Sequence, residues 1–323
     1  MELYTYSQKK LPYRLRPSKN GSHPWSHPTF TLTFKSPYAS GCLENDSAFC
    51  RLITPQGLGR PLKLLIFLHG FSTSRKKMEN YLYFIDRMAR QGYTCAFLNL
   101  PYHLKRTPKG SKSGRELIYF DDEKTLRYFH QCVVDIKRLI DIMENFCLED
   151  INICGLSMGS MVSVLAMAHE PRIEKGILLI GGGNWKEIHW HGILRFILKG
   201  NCSDHGKTDK ARCQDHYSLF PRFLEELKKS PSKPIDTDDP GQLGKYLSKK
   251  CFLCDPLAFA HRIGTERILM VNARFDVYFS KKSTLALWEQ LGKPEIYWLR
   301  DFHSNRILTR KTVYQKIIQF LKK

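Results

Sequence analysis

The segment LKLLIFLHG, Leu62 to Gly70, is an almost unbroken apolar run, and no other feature limits the fold as strongly. A strand with one wet face alternates apolar and polar residues, whereas a strand covered on both faces has no reason to alternate and belongs to a mainly parallel sheet. The segments after it keep to that architecture. Met78–Gln91 has apolar residues at helical spacing, then come Gly92 and the strand pattern TCAFLNLP, Thr94–Pro101. A helical stretch follows from about Asp121 to Phe146, then a short strand at Ile151–Cys154, a helix at Gly159–His169 and a strand at Gly176–Ile180. Near the C-terminus the pattern gives a strand at Arg267–Ala273, a helix at Ser280–Leu291, a strand at Glu295–Leu299 and a helix at Thr309–Lys322. Such alternation predicts an α/β fold, a mostly parallel central sheet with helices on both faces. Ahead of it, TFTLTF (Thr29–Phe34) and FCRLIT (Phe49–Thr54) predict antiparallel edge strands.

After Asn184 the regularity fails for about 65 residues, where Trp, His, Cys, Lys and Pro are mixed and SPSKPIDTDDPG (Ser230–Gly241) reads as loop. The expected organisation is therefore a core formed by residues 1–183 and 251–323, with residues 184–250 inserted as a cap. An apolar content of 42% suffices for a large core and excludes a disordered chain. No stretch of about 18 apolar residues appears, and residues 1–30 contain no apolar segment of signal-peptide length. The expectation is a cytoplasmic protein whose ten cysteines are thiols or metal ligands and not a disulfide framework. The formal charge of +20 is spread along the whole chain, so it reads as a solvated basic surface and no nucleic-acid partner is expected. Peripheral membrane contact through an amphipathic surface stays open.

The chemistry concentrates at INICGLSMGS, where Gly155, Ser157 and Gly159 form G-x-S-x-G between a short apolar strand and an amphipathic helix. In that context the serine occupies a strained turn that lifts its Oγ out of the sheet, and small residues two before and two after it avoid collision with neighbouring backbone. The same turn without chemistry would be an anion-binding helix start, which needs no further residue. A nucleophilic serine needs an acid after a later strand and a histidine after the last one. Asp276 follows the strand at Arg267–Asn272 in ARFDVYF, and His303 follows the last strand in LRDFHSNR. Asp276 would accept Nδ1–H of the histidine, and His303 would take the serine proton and return it to the leaving group. Asp301 and Asp255 are the competing acids. The backbone N–H groups of Phe71, in LFLHGFST, and of Met158 are the candidate donors to a developing oxyanion.

Taken together, HGF at 69–71, GLSMGS at 155–160, Asp276 and His303 resemble the α/β-hydrolase superfamily, over roughly Leu62 to the C-terminus. Within it, the antiparallel start, the HG motif, the DPLAFAHRI stretch before the Asp-bearing strand and the short tail resemble the dienelactone-hydrolase, acetyl-esterase and prolyl-oligopeptidase-like branch. Phe71 and Ser72 stand where the HGGG pattern of some lipases has further glycines, which separates the chain from hormone-sensitive-lipase-like enzymes. The resemblance implies a serine hydrolase that attacks an ester, thioester or amide of a small molecule through an acyl-enzyme, with no organic cofactor and no catalytic metal.

Two features of the expected cap bear on function. WKEIHWHGILRFILKG, from Trp185, is amphipathic and aromatic, and reads as a lid over an acyl pocket or as a membrane-surface element. Cys202, His205, Cys213 and His216 form two C-x2-H pairs, with Cys251 and Cys254 downstream, a pattern that would suit structural zinc, although the seven-residue gap between the pairs is shorter than in common zinc modules. The readings are thus a carboxylic-ester hydrolase, a small-peptide or amide hydrolase on the same residues, and a catalytically silent binding module for an anionic partner.

Overall fold

The computed structural model describes residues 1–7, 12–18, 27–55, 62–71, 73, 75–117, 121–146, 148–198, 201–202, 206–207, 209–229, 235–237 and 249–323. Nine strands build the main sheet: β1 (Tyr13–Pro17), β2 (Thr29–Lys35), β3 (Ser47–Ile53), β4 (Leu62–Leu68), β5 (Tyr93–Leu98), β6 (Leu148–Leu156) and β7 (Lys175–Leu179), and, after a two-strand ribbon of β8 (Asn201–Cys202) and β9 (Gly206–Lys207), β10 (Ile268–Phe275) and β11 (Glu295–Phe302). Their order is β1-β2-β3-β5-β4-β6-β7-β10-β11. Pairing is antiparallel from β1 to β5 and parallel from β5 to β11. The expected antiparallel edge is present and gains β1, whose short YRLRP carries little apolar signal.

The unbroken run of β4 resolves into two interleaved sets, because successive side chains of a strand point to opposite faces. Leu64, Ile66 and Leu68 pack with Leu126, Phe129, Val133 and Ile136 of α2 (Asp122–Met143) and with Met161 and Val162 of α3 (Met158–His169). Leu65 and Phe67 face the other way, against Tyr81, Phe84 and Ile85 of α1 (Arg75–Ala89) and Val313, Ile317 and Phe320 of the C-terminal helix Lys311–Leu321. Asp121 caps α2 by accepting from Lys124 N–H at 2.5 Å, and Asp122 and Glu123 complement the positive end of the helix dipole.

Beyond Asn184 the structure contains more helix than the irregular composition announces: α4 (Trp185–His191), a single turn at Leu194–Ile197, α5 (Lys210–Ser218) and α6 (Phe220–Lys229). Phe220, Phe223, Leu224 and Leu227 of α6 are spaced at i, i+3, i+4 and i+7, and all are buried with Phe252 in the same core as α2. The stretch expected as loop, Ser230–Gly241, lies outside the described residues except 235–237, where Leu3 N–H donates to Ile235 O at 2.7 Å and Thr237 N–H to Met1 O at 3.1 Å.

A buried ion pair joins the antiparallel edge to α2. The Arg106 side chain is 0% exposed and donates to Asp135 at 2.7 Å, to Asn99 O at 3.2 Å and, through Nε and Nη2, to Asn45 O at 2.8 and 2.5 Å. Asp135 also accepts from Ser36 Oγ at 2.6 Å. Stripped of one partner, such a pair leaves an uncompensated charge inside the protein. Arg106→Met is expected to cost about 3–5 kcal/mol of stability by urea denaturation, and a loss below about 1 kcal/mol would show that the network carries little.

Two fully buried imidazoles, His69 and His103, lie 5.0 Å apart at the carboxyl ends of β4 and β5. Burial pushes His69 down to about 3 and His103 down to about 4. Both values lie below the unfolded value of about 6.5, so the unfolded chain binds the extra protons and stability is lost as the pH falls from about 6.5 toward 4. At about 1.4 kcal/mol per unit for each group, the pair is expected to remove about 4 kcal/mol between neutrality and pH ~5. Urea midpoints across that range test this; a flat profile would contradict it.

Candidate active site

Residue Ser157 sits between β6 and α3 with φ 56° and ψ −117°, a conformation that side-chain-bearing residues rarely adopt. Its surroundings hold it there. Ser157 N–H donates to Leu179 O of β7 at 2.8 Å, and its carbonyl accepts from Ser160 N–H and Ser160 Oγ at 2.9 and 2.6 Å. A Cβ on Gly155 would lie 2.1 Å from Gly159 O, and one on Gly159 would lie 2.4 Å from Leu68 O. Both glycines are therefore required by close backbone approach, and they press the start of α3 against the ends of β6 and β4.

Three residues distant in sequence converge on one line of hydrogen bonds. Ser157 Oγ lies 2.9 Å from His303 Nε2, and His303 Nδ1 lies 2.7 Å from Asp276 Oδ2. The other Asp276 oxygen accepts from Tyr278 N–H at 2.8 Å and Phe279 N–H at 2.9 Å, so the loop after β10 orients the carboxylate before the histidine meets it. With a carboxylate at Nδ1, that nitrogen carries the proton and Nε2 offers its lone pair to the serine hydroxyl. Tyr278 and Phe279 pack on the imidazole, at centroid distances of 4.4 and 5.7 Å, and shield it from water.

The competing acids have other partners. Asp301 pairs with Arg310 at 2.7 Å. Asp255 is fully buried and accepts from Asn184, Trp185 and Leu257 N–H and from Tyr217 OH at 2.9–3.0 Å, fixing the chain as it leaves β7 for α4.

The turn after β4 passes directly over the serine: a Cβ on Gly70 would lie 3.3 Å from Ser157 Cβ. Leu100 N–H donates to His69 Nε2 at 3.1 Å, so the proton of this neutral imidazole is on Nδ1, which donates to Gly70 O at 2.9 Å. Thr73 Oγ–H donates to the same carbonyl at 2.8 Å. In a trans peptide the N–H points opposite the C=O, so a Gly70 carbonyl turned toward His69 and Thr73 sends Phe71 N–H to the other side. Among the described residues, neither Phe71 N–H nor Met158 N–H has a protein acceptor. The sequence signal of Thr73 is a hydroxyl three residues after the glycine, in reach of the i−3 carbonyl.

A cavity of about 380 Å³ opens at Ser157. Its inner wall is apolar, from buried Leu117, Phe129, Met161 and Ile188, while Lys77, Ser304 and Asn305 stand at its more exposed side. Trp185, Leu194, Ile197 and Leu198 of the expected lid line it, whereas Phe196 points away.

Of the four soft ligands considered for zinc, His205 and the Cys202 side chain lie outside the described residues; Cys213 and His216 lie on α5. Among the described residues, no group of three or more His, Cys, Asp and Glu is placed to hold a metal ion. Also among them, no helix is long and apolar enough to cross a membrane.

Known proteins share this fold. The acetyl xylan esterase from Paenibacillus sp. R4 superposes with a TM-score of 0.60 at 15% identity, over 98% of this chain and 89% of that one. The esterase Pf2001 of Pyrococcus furiosus gives a TM-score of 0.54 at 15% identity, over 95% and 98%. At such identities the likeness is one of fold. In sequence, the Bacillus subtilis (strain 168) protein YdjC, described as uncharacterized, is 27% identical over 70 residues, which make up 22% of this chain and 60% of that protein, so less than two thirds of this relative's length is matched. Residues 63–299 match the model of the family described as alpha/beta hydrolase fold; the match spans most of the chain and takes in its parallel sheet, and the protein belongs to that family.

Proposed function

We propose that the protein is a serine hydrolase that cleaves a carboxylic ester through an acyl-enzyme on Ser157. The observation that carries this reading is the Ser157–His303–Asp276 line of hydrogen bonds at the mouth of an apolar cavity. In the proposed reaction Ser157 Oγ attacks the ester carbonyl carbon as its proton passes to His303 Nε2. The carbonyl oxygen becomes an oxyanion within reach of Phe71 and Met158 N–H, donors that need no reorganisation because His69, Thr73 and the α3 start already hold them. Collapse expels the alcohol, which takes the proton from His303. Water then attacks the acyl-enzyme with His303 again as base, releasing the acid and restoring the serine. No organic cofactor or catalytic metal enters this sequence of steps.

The cavity divides by polarity. The buried wall of Leu117, Phe129, Met161 and Ile188 suits an apolar acyl chain, and the side bearing Lys77, Ser304 and Asn305 suits a more polar alcohol. The described part of residues 184–250 then acts as the lid of this cavity, through Trp185, Ile188 and Leu194. Ester hydrolysis is preferred over amide hydrolysis because both solved relatives named above are esterases by name.

Labelling with a fluorophosphonate is expected for the wild type and lost in Ser157→Ala and His303→Ala, with ester turnover reduced by at least about 10³-fold, and Asp276→Asn is expected to lower kcat by about 10⁴-fold. A wild type that neither labels nor turns over any ester, with its fold intact by circular dichroism, would refute the assignment. The cavity's size and lining further predict that kcat/KM rises from p-nitrophenyl acetate to the octanoate; a steady fall along that series would place the acyl chain elsewhere.

A further inference from the structure

Among the described residues nine large apolar side chains are substantially exposed, and five of them, Ile193, Phe196, Phe275, Val277 and Phe302, form one neighbourhood. Ile193 N–H donates to Val277 O at 2.8 Å and Phe196 N–H to Ile193 O at 3.0 Å. Phe275 is paired with Phe302 across β10 and β11, with ring centroids 5.7 Å apart. Phe196 is 73% and Phe302 64% exposed, and the other three are 40–50% exposed. Single exposed apolar residues are ordinary on a protein surface, but a contiguous group is a contact surface without its partner.

Its position is set by the same alternation that builds the candidate site. Asp276 and His303 turn inward, so Phe275, Val277 and Phe302, their chain neighbours, turn out. Alternation dictates the direction and not the chemistry: polar residues would serve equally well at these outward positions. The turn at Leu194–Ile197 is apolar on both sides, with Leu194 and Ile197 lining the cavity and Ile193 and Phe196 facing away from it.

Charge identifies the occupant. Arg195 lies over the Phe196 ring at 4.4 Å, and Arg274 and Arg300, one residue from Phe275 and two from Phe302 along β10 and β11, are exposed and make no ion pair among the described residues. The neighbouring carboxylates are engaged, Asp276 by His303 and Asp301 by Arg310. Aromatic and aliphatic tips with unpaired arginines close by along the chain, on a protein of net charge +20, match a surface with an apolar interior and anionic headgroups.

We infer that Ile193, Phe196, Phe275, Val277 and Phe302, with Arg195, Arg274 and Arg300, are the surface by which the protein docks on an anionic lipid interface, with the candidate active site opening beside it. Docking itself goes beyond the proposed hydrolase activity and stands without it; only the delivery of a lipid-dissolved ester to Ser157 rests on that activity.

The test is co-sedimentation of the full chain with vesicles of phosphatidylcholine and phosphatidylglycerol in equal parts, beside vesicles of phosphatidylcholine alone. The wild type is expected to bind the anionic vesicles preferentially, with binding that weakens as salt is added. Phe196→Ser with Phe302→Ser should lower the partition coefficient by at least about tenfold. Arg274→Ala with Arg300→Ala should lower it by about tenfold at low salt and flatten the salt dependence. Both pairs are at the surface, so melting temperatures should stay near that of the wild type, and turnover of a water-soluble ester should be unchanged by the Phe pair. Absence of binding to anionic vesicles, equal binding by the Phe pair, or a dimer that Phe196→Ser dissolves, which would make a second copy the occupant, overturns the inference.

Discussion

The close crossing of β4, β6 and α3 is the constraint on which the candidate site depends. Gly155 and Gly159 allow backbone to meet backbone where any Cβ would collide with a carbonyl, and that contact compels Ser157 into a conformation of positive φ. Strain of this kind persists only where its surroundings over-determine it. Here the bond from Ser157 N–H to Leu179 O and the bonds to its carbonyl from Ser160 and Met161 supply that determination. The serine is thereby presented at the carboxyl edge of the sheet, under the turn that carries Phe71.

The other half of the site is built differently, by loops pinned at their bases. Asp276 spends one oxygen on two backbone N–H groups and the other on His303, so its orientation is settled locally before the histidine arrives from the next strand. His69 plays the corresponding part across the cavity: burial keeps it neutral, and only a neutral ring can both accept from Leu100 N–H and donate to the Gly70 carbonyl. The acid sensitivity of the fold and the aim of the Phe71 donor thus share one cause.

Much of this was legible along the chain, for stated reasons. The run at Leu62–Leu68 announced a strand covered on both faces because burial removes alternation. The order Ser157, Asp276, His303 was readable because each residue follows a strand, and parallel strands deliver their carboxyl ends to one edge. Less legible was the part after Asn184. The i, i+3, i+4, i+7 spacing of Phe220, Phe223, Leu224 and Leu227 was in the sequence, but Pro221 and the surrounding lysines and cysteines obscured it, and its apolar stripe is explained only by Phe252 across the fold.

By itself, then, the sequence determined the sheet's buried centre, the strained turn at Ser157 and the chain order of the three residues that meet there, because these depend on local periodicity, on glycine's missing side chain and on direction along the strand. The sequence favoured Asp276 by its place after a strand, and the tertiary structure decided between it and the competing aspartates by bringing it to His303. Asp255, Asp276 and Asp301 are alike as residues and are told apart by what surrounds them: four buried donors, an imidazole, or an exposed arginine. It likewise decided that Leu194 lines the cavity while Phe196 is left in water, since the apolar character of both is written in the chain but the side each one faces is set by the packing of the Leu194–Ile197 turn.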